Sequence, residues 1–258
     1  VEEHELHDRY PHYVEWLRAA RGGAAVWFPI HDLHAPPLAD VRHLILVDAK
    51  APVSFFAYPG KKSYLVPDSC TVHTLASPSQ DAVGSLLKLA RVVGAEQAQP
   101  ALQASERPGR PRGKLTAEKV CKAVGHLLPA NAIVIDEAIT SGLMLSRFTA
   151  GGARHDLITL TGGAIGQGLP NAVGAAIACP DRPVRALIGD GTAMYTIQAL
   201  WTMAREKLNV TSIIFNNASY SVLNIELERV GADEVGPKAK SQLDLNGPVI
   251  HFAQLAQG

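Results

Sequence analysis

The chain has 258 residues, 47% of them hydrophobic, and 24 basic side chains balance 24 acidic ones. That length can bury a core in one large or two modest domains, while the even charge and the lack of like-charge blocks give no footprint for nucleic acid or an anionic membrane surface. No apolar run approaches the roughly 18 residues that span a bilayer, and the acidic start VEEHELHD lacks the basic-then-apolar pattern of a secretory signal, so a cytoplasmic protein with no membrane or nucleic-acid partner is expected.

In chain order, the first forty residues show little regularity, and HDLHAPPLAD breaks any pattern with its two prolines. His31 and His34 with Asp32 resemble a metal cluster, but an isolated His-x-x-His in such a loop lacks the remaining ligands, and no zinc site is expected. HLILV (43–47) reads as a buried strand, CTVHTLA (70–76) as another, and QDAVGSLLKLARVV as an amphipathic helix with Val83, Leu86, Leu87 and Ala90 at helical spacing. Together these make a partial α/β unit over residues 1–94. In AEQAQPALQASERPGRPRGKL, Pro, Gly, Gln and charge replace any apolar period, which predicts a linker over 95–114.

Over residues 115–258 the alternation is cleaner. Thr116 is placed to cap a helix with Glu118 in its first turn, AEKVCKAVGHLL as its body and Pro129 ending it. Then follow AIVID (strand), SGLMLSRF (helix), DLITL (strand), LPNAVGAAIAC (helix), VRALIG (strand), TIQALWTMAREKL (helix) and VTSIIF (strand). Strands alternating with helices predict an α/β fold, a doubly wound parallel sheet with helices on both faces. In such sheets ligands lie outside the carboxyl ends of the strands. The turns at that edge read DEAITSG, TGGAIGQG, GDGT and NNASY.

Glycines, hydroxyls and helix N-termini suit a phosphate. Neither glycine turn, however, has the dinucleotide fingerprint: GQGLPN puts Asn171, and GDGTAM puts Met194, where the third glycine belongs, and no Walker lysine is present. A nucleotide-binding oxidoreductase is therefore the weaker alternative. Asp190, at the centre of its turn, should repel an anion unless a cation stands between. Mg²⁺ takes about six oxygens, usually one or two from protein and the rest from water and phosphate, so Asp190 would become a ligand, joined by the Asn217 amide oxygen and the Ser219 carbonyl.

Gly-Asp-Gly followed after 24 residues by Asn-Asn resembles the signature of thiamine-diphosphate-dependent enzymes. The run GDGTAMYTIQALWTMAREKLNVTSIIFNNASYSVLN is similar to their acetolactate synthase and benzoylformate decarboxylase branch, as are DEAITSG and LTGGAIGQGLPNAVGAAIA. RHLILVDAKAPVSFFAYPGKKSYLVPD is similar to the end of that family's middle domain. The resemblance implies the thiamine-diphosphate-binding fold over 115–258, with thiamine diphosphate and Mg²⁺ as cofactors and a 2-oxo acid as substrate, for carboligation or decarboxylation. It implies Asp190, Asn217 and Ser219 on the metal, and Gly191, Thr192, Thr140 and Ser141 at the diphosphate. It also implies Ile165 as an apolar wedge beneath the cofactor and the Gly163 carbonyl at the aminopyrimidine. Such a wedge bends the cofactor and brings its own imino nitrogen to the carbon acid it deprotonates. Tyr195 and Tyr220 can line the cofactor cleft or merely pack, and Tyr220 joins the cofactor set.

The resemblance places the activating glutamate on a separate, preceding domain. Glu137 lies in the diphosphate turn and does not match it, so no catalytic acid or base is named and this chain by itself is expected to be inactive. The start at Val1 and the stop in HFAQLAQG lead to the expectation of a fragment whose full-length form is a homodimer or homotetramer, with FAD left open. A non-catalytic homologue that keeps the cofactor for assembly or regulation is the second alternative. Trp201, Met203 and Leu208 have the spacing of core residues. Cys70, Cys121 and Cys179, odd in number and widely spaced, read as reduced thiols.

Overall fold

The computed structural model describes residues 24–27, 38, 40–54, 57, 59–60, 62–99, 105–232 and 235–258. His31, Asp32 and His34 lie outside the described residues. The chain divides into two units, Val1–Ala101 and Leu102–Gly258.

In the first unit, β1 (Ala24–Trp27), β2 (His43–Val47) and β3 (Thr71–Ala76) form a parallel sheet in the order β1-β2-β3. β1 has only four residues, too few to declare itself by periodicity. Asp81 starts α1 (Ala82–Val92) by accepting the Gly84 N–H at 2.9 Å. The face of α1 that packs on Ile45, Val47 and Leu75 consists of Ala82, Leu86 and Leu89. Val83 and Leu87 are 68% and 58% exposed, which corrects the stripe expected from spacing. Two stripes one residue apart both fit a 3.6-residue period. The one that lets Ser85 bury its hydroxyl against the Asp81 carbonyl, at 2.7 Å, is adopted.

In the second unit, Thr116 accepts the Lys119 N–H at 3.2 Å and so caps α2 (Ala117–Leu127). Residues 105–114, expected as linker, dock onto the far end of that helix. The Arg107 guanidinium donates to the His126 and Leu128 carbonyls at 3.0 and 3.1 Å, and His126 Nδ1 lies 2.9 Å from the Pro108 carbonyl. A cation on the last, otherwise unpaired carbonyls of a helix satisfies them and complements its dipole.

β4 (Ala132–Glu137), β5 (His155–Thr159), β6 (Val184–Gly189) and β7 (Val210–Phe215) are all parallel, in the order β5-β4-β6-β7. Side chains alternate across the central strands. Ile133, Ile135, Val184, Ala186 and Ile188 pack with α4 (Gly168–Ala178) and with Ala199 and Met203 of α6 (Ala199–Arg205). Val134 and Leu187 pack with Cys121, Val124, Leu128 and Leu145 on the other face. Helices thus cover both faces, as expected.

Two elements differ from expectation. SGLMLSRF is not one helix: a 3₁₀ turn, Ile139–Gly142, precedes the short α3 (Leu145–Thr149). Gly142 passes so close to β4 that a Cβ there would lie 2.8 Å from Asp136 Oδ1, which holds the chain in the tight turn. In α6, Ala199 and Met203 face the core and Leu208 packs beside them, but Trp201 is 63% exposed and carries the Arg205 guanidinium 4.8 Å above its ring. Two residues on from Ala199, a helix has turned about 200°, so Trp201 cannot share the inward face. The short α5 (Asp190–Ala193) precedes α6; α7 (Ser221–Arg229), α8 (Pro237–Ser241) and α9 (Phe252–Gln257) follow β7.

The three cysteines are free, Cys121 buried and the others partly exposed. Among the described residues no helix is long and apolar enough to cross a membrane.

Candidate functional site

The chain runs from β4 outward to β5, then crosses back over β4 to β6, so the connections diverge between β4 and β6. At such a switch point the turns leave a crevice at the carboxyl edge. Residues 138–141 after β4, 189–192 at the end of β6 and beyond, and 217 and 219–222 after β7 line a cleft, together with Ile165 from the loop before α4 and Phe215 at the end of β7.

The structure brings Thr140, Ser141, Ile165, Asp190, Gly191, Thr192, Asn217, Ser219 and Tyr220 together in this one cleft. Gly163, two residues before Ile165 and exposed at φ +70°, is not among the lining residues.

Asp190 is 3% exposed. Its Oδ1 accepts the Gly191 N–H at 2.9 Å and its Oδ2 the Ala218 N–H at 2.6 Å, so the carboxylate ties the β6 turn to the β7 turn. Asn217 Oδ1 accepts the Ser219 N–H at 3.1 Å, and its Nδ2 donates to Ser221 Oγ at 2.8 Å. Each of these side-chain oxygens keeps a lone pair beyond the bonds just named. Thr192 is 5% exposed, and its hydroxyl donates to the Gly189 carbonyl at 2.8 Å. The Tyr220 ring lies over Gly191, where any Cβ would meet it. Burial, then the neighbouring Tyr195 and Asp190, pushes the Tyr220 phenol up, so it stays a neutral hydroxyl at neutral pH.

Strain collects here. Ile139 and Ala218, both without glycine's freedom, hold φ of +51° and +55°. Left-handed backbone at a β-branched residue is an outlier costing on the order of 1–3 kcal/mol, and such residues cluster at ligand sites.

Glu137, expected in the diphosphate turn, instead ends β4 and does not line the cleft, and sequence reasoning missed its structural role. Only 2% exposed at the end of β4, it accepts the Gly166 and Gln167 N–H groups on Oε1 at 2.9 and 3.0 Å and the Gly168 N–H on Oε2 at 2.9 Å. Burial pushes its pKa up, against the downward pull of the three hydrogen bonds from Gly168, Gln167 and Gly166. The protein's own carboxylate therefore occupies the N-terminus of α4, the place where GGAIGQG alone would suggest a bound phosphate. The available signal was the acidic pair Asp136 and Glu137 closing a strand that is apolar up to that point.

Among the described residues no group of three His, Cys, Asp or Glu side chains is placed to hold a metal ion. The side chains that line the cleft bring oxygens to it: the Asp190 carboxylate, the Asn217 amide and the hydroxyls of Thr140, Ser141 and Thr192. Such oxygen donors suit a hard cation rather than a soft one.

Residues 141–258 match the family model described as thiamine pyrophosphate enzyme, C-terminal TPP binding domain. That stretch lies within the second unit. The chain is 52% identical over 225 residues to a Mycobacterium tuberculosis protein provisionally named acetolactate synthase large subunit IlvX, covering 87% of this chain and 43% of that one. A Mycobacterium avium alpha-keto-acid decarboxylase is 39% identical over 114 residues, 42% of this chain and 19% of its own length. Among solved structures, a thiamine diphosphate-dependent 4-hydroxybenzoylformate decarboxylase from Rhodococcus jostii is 27% identical with a TM-score of 0.63, over 84% of this chain and 42% of that one. A benzoylformate decarboxylase from Polynucleobacter necessarius shares the fold at 20% identity, with a TM-score of 0.59 over the same 84% and 42%. The chain spans less than half the length of these relatives.

Proposed function

We propose that this chain is the cofactor-binding part of a thiamine-diphosphate- and Mg²⁺-dependent enzyme acting on a 2-oxo acid, by carboligation of the acetolactate synthase kind or by decarboxylation. The observation that carries it is the meeting of four turns in one cleft, with the buried Asp190 carboxylate bridging two of them. The residues fit the group. Asp190, the Asn217 amide oxygen and the Ser219 carbonyl offer only hard oxygens, as Mg²⁺ requires. The missing side chain of Gly191 lets the Tyr220 ring close down on that turn at the edge of the cleft. When bound, thiamine diphosphate supplies a stabilised carbanion and an electron sink for cleaving or forming the bond beside a 2-oxo group.

The chain's own part is holding and orienting. Asp190, Asn217 and Ser219 would hold the metal; Thr140, Ser141, Gly191 and Thr192 would take the diphosphate. Ile165 would press from below, Gly163 would offer its carbonyl, and Tyr220 would close the side over Gly191. The names of the relatives above support a 2-oxo acid substrate.

Calorimetric titration of the chain with thiamine diphosphate, with and without Mg²⁺, tests this reading. Saturable binding that disappears on chelation is expected. Binding that ignores Mg²⁺, or no binding by a folded chain, would overturn it.

A further inference from the structure

We infer that Glu137 is a positioning residue for Ile165, acting through the loop that carries it, an inference that rests on the cofactor reading above. Ile165 is the residue this loop contributes to the cleft. The chain immediately after it is clamped from two sides. Glu137 takes the Gly166, Gln167 and Gly168 N–H groups, and Thr196 Oγ1 donates to the Gly166 carbonyl at 2.8 Å. Gly166 has no slack, since its φ is +96° and a Cβ would lie 2.6 Å from the Cβ of Tyr195. On the near side, Gln167 Nε2 closes the loop onto the Ala164 and Thr161 carbonyls at 3.0 and 3.3 Å.

Glu137 itself has no freedom to drift. A Cβ on Gly168 would be 2.7 Å from its Oε2 and 3.0 Å from its Cβ. It ends β4, whose next residues begin the diphosphate turn, and Thr192 Oγ1 lies 3.3 Å from its backbone carbonyl. One residue thus ties the loop of the wedge to the turns that line the diphosphate end of the cleft. A wedge acts only if it is held at a fixed distance from the place where the cofactor's other end is gripped, because misplacement by about 1 Å forfeits the benefit of orientation.

The test separates the two ends of the ligand. On the cofactor reading, thiamine diphosphate would be held by Ile165 as well as by the diphosphate turns, whereas inorganic pyrophosphate with Mg²⁺ would be held by Asp190, Thr192 and Thr140 alone. In Glu137→Gln, an amide N–H₂ opposes backbone N–H donors. Thiamine diphosphate is expected to bind on the order of tenfold more weakly, and pyrophosphate within about twofold of wild type. Adding Ile165→Ala should cost little more in the double variant than in Glu137→Gln alone, since both act on one contact. Amide hydrogen exchange of the unliganded chain should quicken at residues 166–168 by about tenfold or more. Thr196→Val, which loosens the same loop without burying a mismatched amide, keeps the test open if Glu137→Gln does not fold; it should show the same split at about threefold. Equal losses for both ligands, additive effects with Ile165→Ala, or unchanged exchange would overturn the inference. Wild-type chain that fails to bind thiamine diphosphate would instead overturn the cofactor reading, and with it the role of Ile165.

Discussion

Glu137 and Asp190 are two buried carboxylates at the ends of adjacent parallel strands, and they meet opposite fates. Glu137 is surrounded by donors from one loop and faces inward, and its two oxygens are engaged three times by residues 29 to 31 positions away. Asp190 accepts two N–H groups, one of them its immediate neighbour's, and lines the open cleft. Burial and backbone bonding therefore do not mark a carboxylate as functional. What separates them is whether acceptor capacity remains on the side facing a cavity: the first organises a loop, the second can meet a cation.

The largest effect that would break this contrast is on stability. Glu137→Ala leaves three backbone donors and a cavity inside the unit, and we predict a loss of about 4 kcal/mol in denaturant unfolding. A loss under about 1 kcal/mol would mean that water takes over its role. Asp190→Ala should keep the fold, by circular dichroism, while weakening Mg²⁺-dependent thiamine diphosphate binding on the order of 100-fold, about 2.7 kcal/mol. Unchanged affinity would make Asp190 another structural carboxylate.

A third carboxylate sharpens the comparison through pH. Asp136, beside Glu137, is pushed up to about 6 by burial, opposed by the Ala138 N–H and aided by Glu137. Because its folded value lies above its unfolded one, near 4, its contribution is fully present below that value and is lost as the pH rises through about 6. Asp136→Asn should flatten the fall in stability between those values and leave the chain about 2 kcal/mol more stable at pH 8. A variant with the wild-type slope would reassign the titration elsewhere. The smallest effect concerns the strain that aims the Ala218 N–H at Asp190. Ala218→Gly relieves left-handed backbone but adds unfolded-state freedom, so we predict a gain of no more than about 1 kcal/mol, and cofactor affinity within about twofold. A clear loss of stability would show that the methyl group, not the backbone, matters there.

The contrast also shows what the sequence could and could not convey. Strands VRALIG and VTSIIF were legible to the residue because short, mostly apolar segments between turn signals leave few alternatives. The cleft was legible because parallel strands send their turns to one edge, and those turns carried unusual residues. Glu137 was not, because its partners are backbone N–H groups, which every residue offers and no side-chain pattern announces. The split of SGLMLSRF was hidden likewise, since Gly142's close approach to Asp136 exists only once β4 and the turn are packed. In α1 the expected stripe of Val83, Leu86, Leu87 and Ala90 was right at Leu86 but wrong at Val83 and Leu87, because overlapping stripes are resolved by the surface they meet.

The fully buried Cys121 donates its thiol to the Ser141 carbonyl at 3.5 Å, directly behind the turn that lines the cleft, and burial raises its pKa to about 11. An alkylating reagent can reach that sulfur only when the turn swings away, whereas the partly exposed Cys70 and Cys179 react without such an opening. Timed thiol labelling of the intact chain is thus a built-in clock for the breathing of the 139–142 turn, and a ligand that settles against Thr140 and Ser141 should slow it.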